Sequence, residues 1–112
     1  KNTLIGGLAG VALTTGNYNI ALGYNALGSE DGHGRNIAIG YNALATQNAG
    51  ADAYNTAIGY SAGLAVTTGV KNIIIGGLAG DALTTGAENV AIGYRALSTE
   101  DAHGKNVAVF NL

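Results

Sequence analysis

Hydrophobic and polar residues recur along the chain at an almost constant spacing. Each copy of the pattern opens with an asparagine, continues with alternating branched and small residues such as Ile37-Ala38-Ile39, and then reaches a glycine such as Gly40. A second short apolar pair follows, as at Ala43-Leu44, and a polar or Thr-Thr-Gly segment closes the copy. The steps between copies are 17, 17, 19, 17, 17 and 17 residues, and the opening residues are Asn2, Asn19, Asn36, Asn55, Asn72, Asn89 and Asn106.

This period predicts an all-β fold, a parallel β-solenoid of about seven coils. Alternation with a period of two is typical of a strand, and a helical hairpin repeat needs about 34 residues. We therefore expect residues 1–112 to form a single repeat domain in which each coil adds one strand to a stack, about 4.8 Å per step. Residues 1–35 match residues 71–105 at 23 of 35 positions, which indicates a segment of a longer array grown by duplication.

Some positions keep the same character in every copy and predict ladders along the stack. The third residue after the asparagine is always aliphatic, and the seventh is alanine in every full copy. We expect the aliphatic ladder to be core, the alanine to lie at a tight corner, and the asparagine amides to bond backbone groups or one another. The predicted structural ladder includes Asn19, Asn36, Asn55, Asn72, Asn89, Ile39, Ile58, Ile75 and Ile92.

The middle residue of each strand is apolar as well, so both faces of the strands are apolar. If Ile37, Ile39 and their equivalents fill the interior, an alanine stripe is left on the other face, and a contiguous apolar surface usually marks an interface. We therefore expect copies of the chain to cover that stripe in a homo-oligomer. The two extra residues of the third copy, within 48–53, predict an exposed loop. The expected stripe comprises Ala21, Ala38, Ala57, Ala91 and Ala108.

Composition excludes several classes of function. Charged residues are 11% of the chain and the net charge is −2, so we expect no nucleic-acid partner. The chain has no cysteine, which excludes disulfides and thiolate metal sites. The uncharged stretch at residues 2–29 is interrupted throughout by Gly, Asn and Thr, so we expect no membrane insertion. We also expect no cofactor and no enzymatic activity, because no Ser/His/Asp arrangement is present.

Two residue patterns are candidate binding sites. The turn Glu30-Asp31-Gly32-His33 recurs as Glu100-Asp101-Ala102-His103, so Asp31, His33, Asp101 and His103 are candidate metal ligands, although such a segment is more often a solvated turn. A row of tyrosines five residues after the asparagine could stack on sugar rings or instead cover the solenoid. The row consists of Tyr24, Tyr41, Tyr60 and Tyr94.

The motif Asn-x-Ala-Ile-Gly-Tyr-x-Ala-Leu, followed by a Thr-Thr-Gly turn, resembles the head repeats of trimeric autotransporter adhesins. It resembles more closely the similar repeats of phage tail fibres and tail-fibre-domain surface proteins. Residues 36–44, 55–62 and 89–97 carry the match best, and the resemblance spans the chain. It implies a left-handed β-roll assembled as a homotrimer, located outside the cell on a virion tail fibre or a bacterial surface, that attaches to a host glycan or protein.

The expected function is therefore a structural and adhesive fibre segment. One alternative is a glycan-binding module that uses its tyrosine row. Another is a subunit that stacks end to end into a filament, because open solenoid ends are adhesive edges unless they are capped.

Overall fold

The computed structural model describes residues 1–99 and 101–110, and these contain seven short strands and no helix. All seven strands form one parallel sheet in chain order. The predicted all-β parallel solenoid is therefore confirmed, with about six turns, because the seventh copy contributes only its strand. The strands are β1 (Thr3–Ile5), β2 (Ile20–Leu22), β3 (Ile37–Ile39), β4 (Thr56–Ile58), β5 (Ile73–Ile75), β6 (Val90–Ile92) and β7 (Val107–Val109).

The strand register repeats from copy to copy, including across the 19-residue step. Ile39 pairs with Ile58 and Ile58 pairs with Ile75, so the predicted aliphatic residues lie directly above one another. The coils are numbered 1 to 6 below, from the coil that opens at Asn2 to the coil that opens at Asn89. The stack measures 36 × 24 × 16 Å, so each coil is thin.

Strands β1 to β6 are each followed by a glycine, because the bend there excludes a side chain. Gly59 has a φ of +135°, and a Cβ on it would lie 2.7 Å from the carbonyl carbon of Gly76 in the next coil. The five other glycines of this row, such as Gly23 and Gly76, have the same conformation. Glycine adopts this region without penalty and allows the two backbones to approach closely.

The core lies behind the middle residue of each strand, and the prediction of which face is buried was wrong. Ala38 and Ala57 are fully buried, whereas Ile37 and Ile39 are only half-buried and Ile73 is 43% exposed. The expected exposed stripe, Ala21, Ala38, Ala57, Ala91 and Ala108, is thus the inner wall, and the ladder with Ile39, Ile58, Ile75 and Ile92 lies on the outer face.

The physical reason is the thickness of the coil. A three-residue strand directs only its middle side chain inward, and the opposite wall is close behind it. That wall is formed by the alanines seven residues after each asparagine, which are fully buried from coil 2 onward, and by Leu27 and Leu44. A protein interior is close-packed, so this space holds one side chain per strand and cannot take two isoleucines.

Large and small core residues compensate for one another along the stack. In coils 2 and 3 the strand contributes alanine while Leu27 or Leu44 fills the opposite wall. In coil 5 the strand contributes Ile74 and the opposite wall has Gly80, whose missing Cβ would lie 3.2 Å from Ile74 Cγ2. Gly63 of coil 4 has no large partner in its own strand, and its space is filled by Ile74 Cδ1 and Leu44 Cδ2 from the two neighbouring coils, each at 3.0 Å.

The insertion in coil 3 is a loop, as predicted, but its two ends are anchored. Gly50 and Ala51 are exposed, and nothing lies within 4 Å of a Cβ placed on Gly50. Ala49 and Ala53 are buried, and Ala53 donates its N–H to Gly34 O at 3.1 Å. Only the centre of the predicted loop is therefore free of packing.

Candidate functional site: ladders on the solenoid

The opening asparagines form a buried hydrogen-bonded ladder. The backbone N–H of Asn72 donates to Asn55 Oδ1 at 2.8 Å, and the N–H of Asn89 donates to Asn72 Oδ1 at 2.9 Å. The same bond joins every successive pair from Asn2 to Asn106. Because buried amides and backbone groups are costly without partners, this ladder fixes the coils in register.

In every coil except coil 3, the asparagine side-chain N–H group binds a carbonyl at the far end of the same coil. Asn55 Nδ2 donates to Gly69 O at 2.8 Å, and Asn72 Nδ2 donates to Gly86 O at 2.9 Å, in each case 14 residues further along. Direct amide-to-amide bonds, the second expectation, occur between Asn36 and Asn19 and between Asn106 and Asn89. The main role of the amide is therefore to close the coil.

The residue before each asparagine makes the corner that this bond supports. Tyr18, Arg35 and Tyr54 have φ values of 62°, 63° and 54°, and the equivalent residues of the later coils, Lys71, Glu88 and Lys105, are also left-handed. Non-glycine residues seldom adopt this conformation. Its recurrence in every coil shows that the asparagine bonds and the stacking outweigh the local strain.

The tyrosine row is an exposed aromatic stack. The rings of Tyr24 and Tyr41 are 5.5 Å apart and those of Tyr41 and Tyr60 are 5.4 Å apart, with interplanar angles of 16° and 7°. Coil 5 has Gly77 in this row, which separates Tyr94 from the other three rings. The stacked rings cover one another's faces and present their edges to solvent, so the arrangement stabilises neighbouring coils.

A second exposed row, directly before the asparagines, was missed in the sequence. Arg35 Cζ lies 5.2 Å from the ring centroid of Tyr18 and 5.7 Å from that of Tyr54, and Lys1 Nζ lies 5.5 Å from Tyr18. Arg35 also pairs with Asp52 of the loop. The spacing of the copies could have revealed this row, because four of the five basic residues of the chain directly precede an opening asparagine. They are Lys1, Arg35, Lys71 and Lys105.

The structure brings together one of the two candidate metal sites. In coil 2, one ligand atom each from Glu30, Asp31 and His33 lie within 4.8 Å of one another. Glu30 was expected in a solvated turn but is fully buried. In coil 6, Asp101 and His103 are exposed, and Glu100 lies outside the described residues.

Glu30 is held by the next coil and by its own turn. Its Oε2 accepts a hydrogen bond from Gln47 Nε2 at 2.6 Å, and its Oε1 accepts the backbone N–H of His33 at 3.1 Å. Gln47 Oε1 in turn accepts from Asn55 Nδ2 at 3.0 Å. Gln47 was not singled out in the sequence, although it occupies the position of Glu30 one copy later.

In the described part of the chain the surface has no pocket. The same residues include no helix with the length and apolar character that a membrane crossing requires. Comparison with protein-family models, with curated proteins and with solved structures gave no match. The functional argument therefore depends on the geometry of the chain itself.

Proposed function

We propose that this chain is a structural and adhesive segment of a trimeric extracellular fibre, on a phage tail or a bacterial surface, and that its solenoid is a left-handed β-roll. The observation that carries the proposal is the outer face of the sheet. Twelve of its fourteen side chains are aliphatic, and the other two are threonines. Several of these side chains are largely accessible in the single chain, from Ile92 at 37% to Val107 at 74%.

The size of this face supports burial against other copies. Seven strands at about 4.8 Å and three residues at about 3.3 Å each give a flat footprint of roughly 300 Å² before the side-chain relief is counted. That is at the scale of the largest apolar patches on monomeric proteins, which are often functional surfaces. A row of identical steps also meets its own symmetry copies in register, which favours association with further copies of the chain.

The ladders support a mechanical role. Each coil is joined to the next through its strand, through its asparagine and through its closing turn, where Thr84 Oγ1 donates to Asp101 O at 2.9 Å. Because neighbouring coils are hydrogen-bonded at several points around the solenoid, the solenoid resists local unfolding. A fibre segment that spaces or presents an attachment tip requires this resistance. Host-surface binding belongs to the same proposal. The tyrosine stack favours the fibre role over the glycan-binding alternative because the faces between its three rings, Tyr24, Tyr41 and Tyr60, are occupied by one another.

Sedimentation mass measures the assembly directly. We expect the wild type to have three times the chain mass of 11.1 kDa. The double variant Ile73→Glu/Ile92→Glu should lose this assembly, because it places charges on the outer face. The matched control Thr68→Glu/Thr85→Glu alters exposed turn residues and should remain assembled. A folded wild-type monomer contradicts the proposal, and a dimer retains the interface but rejects three chains.

Adhesion needs a separate measurement. Purified wild-type trimer is applied to an array of glycans and to intact bacterial cells, with the unassembled variant as the reference. Binding by the trimer and not by the variant supports an adhesive segment. Absence of binding with the trimer intact limits the role to a spacer.

A further inference from the structure

The turn of coil 2 contains a buried carboxyl group without an arginine or lysine partner. Glu30 is fully buried, and its hydrogen-bond donors, the Gln47 amide and the His33 backbone, are both neutral. Among the described residues, its single ion-pair contact is with the His33 imidazole. A buried carboxylate is costly unless a cation compensates its charge, so this turn favours a bound cation.

The imidazole supplies a second, independent observation. His33 Nδ1 is shielded from solvent and has no hydrogen-bond partner, although the remainder of the side chain is partly exposed. It lies 3.8 Å from Glu30 Oε1, which is too far for a hydrogen bond. Two atoms that each lie about 2.1 Å from one metal ion are separated by about 3.0 to 4.2 Å. The Nδ1–Oε1 distance therefore matches two ligands of a common ion.

Asp31 can complete the set from the solvent side. Its carboxylate is in the same 4.8 Å group of ligand atoms, and the residue is exposed, so it faces the solvent side of the group. Gln47 binds the other oxygen of Glu30 and is itself held by Asn55, which fixes the orientation of the Glu30 carboxylate. Outer partners of this kind commonly orient metal ligands.

We propose that Glu30, Asp31 and His33 bind a divalent first-row transition-metal ion such as Zn²⁺, with Gln47 as the positioning residue. Two carboxylates with one imidazole favour zinc-like ions, whereas Ca²⁺ and Mg²⁺ prefer all-oxygen sites with more ligands. Water fills the remaining coordination positions. Because Gln47 and Asn55 belong to coils 3 and 4, the ion stabilises the contact between successive coils. The fibre function does not depend on this site.

The test is calorimetric titration of the full chain with zinc after chelator treatment. The second motif is first removed by His103→Gln, so that coil 2 alone is measured. We expect one Zn²⁺ per chain and a melting temperature that rises with zinc concentration, since an ion that binds only the folded state stabilises it. Ca²⁺ should bind at least tenfold more weakly.

Two further variants in the His103→Gln background identify the ligands. His33→Gln and Glu30→Gln should each weaken zinc binding at least tenfold and abolish the rise in melting temperature. Asp81→Asn, which changes a carboxylate in coil 5, should leave both unchanged. Circular dichroism verifies that every variant is folded. No binding by the parent, undiminished binding by either ligand variant, or equal affinity for Ca²⁺ would overturn the proposal.

Discussion

Two adjacent isoleucines of β5 test which face of the solenoid is its interior. Ile74 is fully buried, and its terminal carbons fill the space beside Gly63 and Gly80. Ile73 precedes it on the outer face and is 43% exposed. Truncating either residue to alanine removes the same three carbons, so the pair is internally matched.

The expected magnitudes differ clearly. For Ile74→Ala, the transfer term for three buried carbons is about 2.4 kcal/mol, and the cavity next to two glycines adds to it, so we expect a loss of about 3 to 5 kcal/mol. For Ile73→Ala, nearly half of the side chain is already in water, and the loss in the single chain should be about 1 kcal/mol.

The assay is urea unfolding followed by circular dichroism, at several protein concentrations and with sedimentation in parallel. Ile74→Ala should lower the unfolding midpoint strongly at every concentration. Ile73→Ala should act mainly through assembly, and its effect should depend on concentration, as for associating chains. Equal losses for the two variants, with the sedimentation coefficient unchanged, would refute the assignment of faces.

Two substitutions, each with a matched control, and one deletion test the bends, the asparagine ladder and the loop. Gly59→Ala should destabilise the fold by several kcal/mol, about 3 or more, because its Cβ meets backbone at 2.7 Å, whereas Gly50→Ala should be neutral by thermal melting. Asn55→Ala leaves buried partners unsatisfied and should cost about 2 to 4 kcal/mol; Asn17→Ala, at an exposed position, should cost less than about 0.5 kcal/mol in the same urea titration. Deletion of Gly50 and Ala51 restores the 17-residue step and should preserve the melting temperature within a few degrees; loss of assembly would assign the loop to an interface.

The sequence was sufficient to predict the solenoid because its period is regular. The aliphatic third residues after each asparagine stack in register and the bend glycines follow the strands, as the spacing predicted. Which face of the strand is buried could not be predicted, because Ile39 and Ala38 are both apolar and alternation alone does not say which side chain points to the interior. That choice depends on the thickness of the coil, which becomes known only when the opposite wall is in place.

The candidate metal site at Glu30, Asp31 and His33 could be predicted only in part, because some of its contacts form between coils. Asp31 and His33 were found from their residue types and their recurrence. The burial of Glu30 was not predicted, because a charged residue in a turn is normally solvated. It depends on Gln47, which lies 17 residues away and meets Glu30 only through the stacking. Contacts between equivalent positions of neighbouring copies are therefore the part of the site that single-copy motifs miss.

The shared packing around Gly63 limits how such an array can be lengthened. This glycine is accommodated by Leu44 on one side and Ile74 on the other, so coil 4 is not a self-contained module. A coil inserted between coils 3 and 4, or between coils 4 and 5, would separate Gly63 from Leu44 or from Ile74 and leave the space beside this glycine unfilled. Recombination between equivalent points four coils apart preserves every pair of neighbours. The 70-residue interval between the two similar segments, 1–35 and 71–105, corresponds to such a unit, so a duplication of this length retains the packing around Gly63.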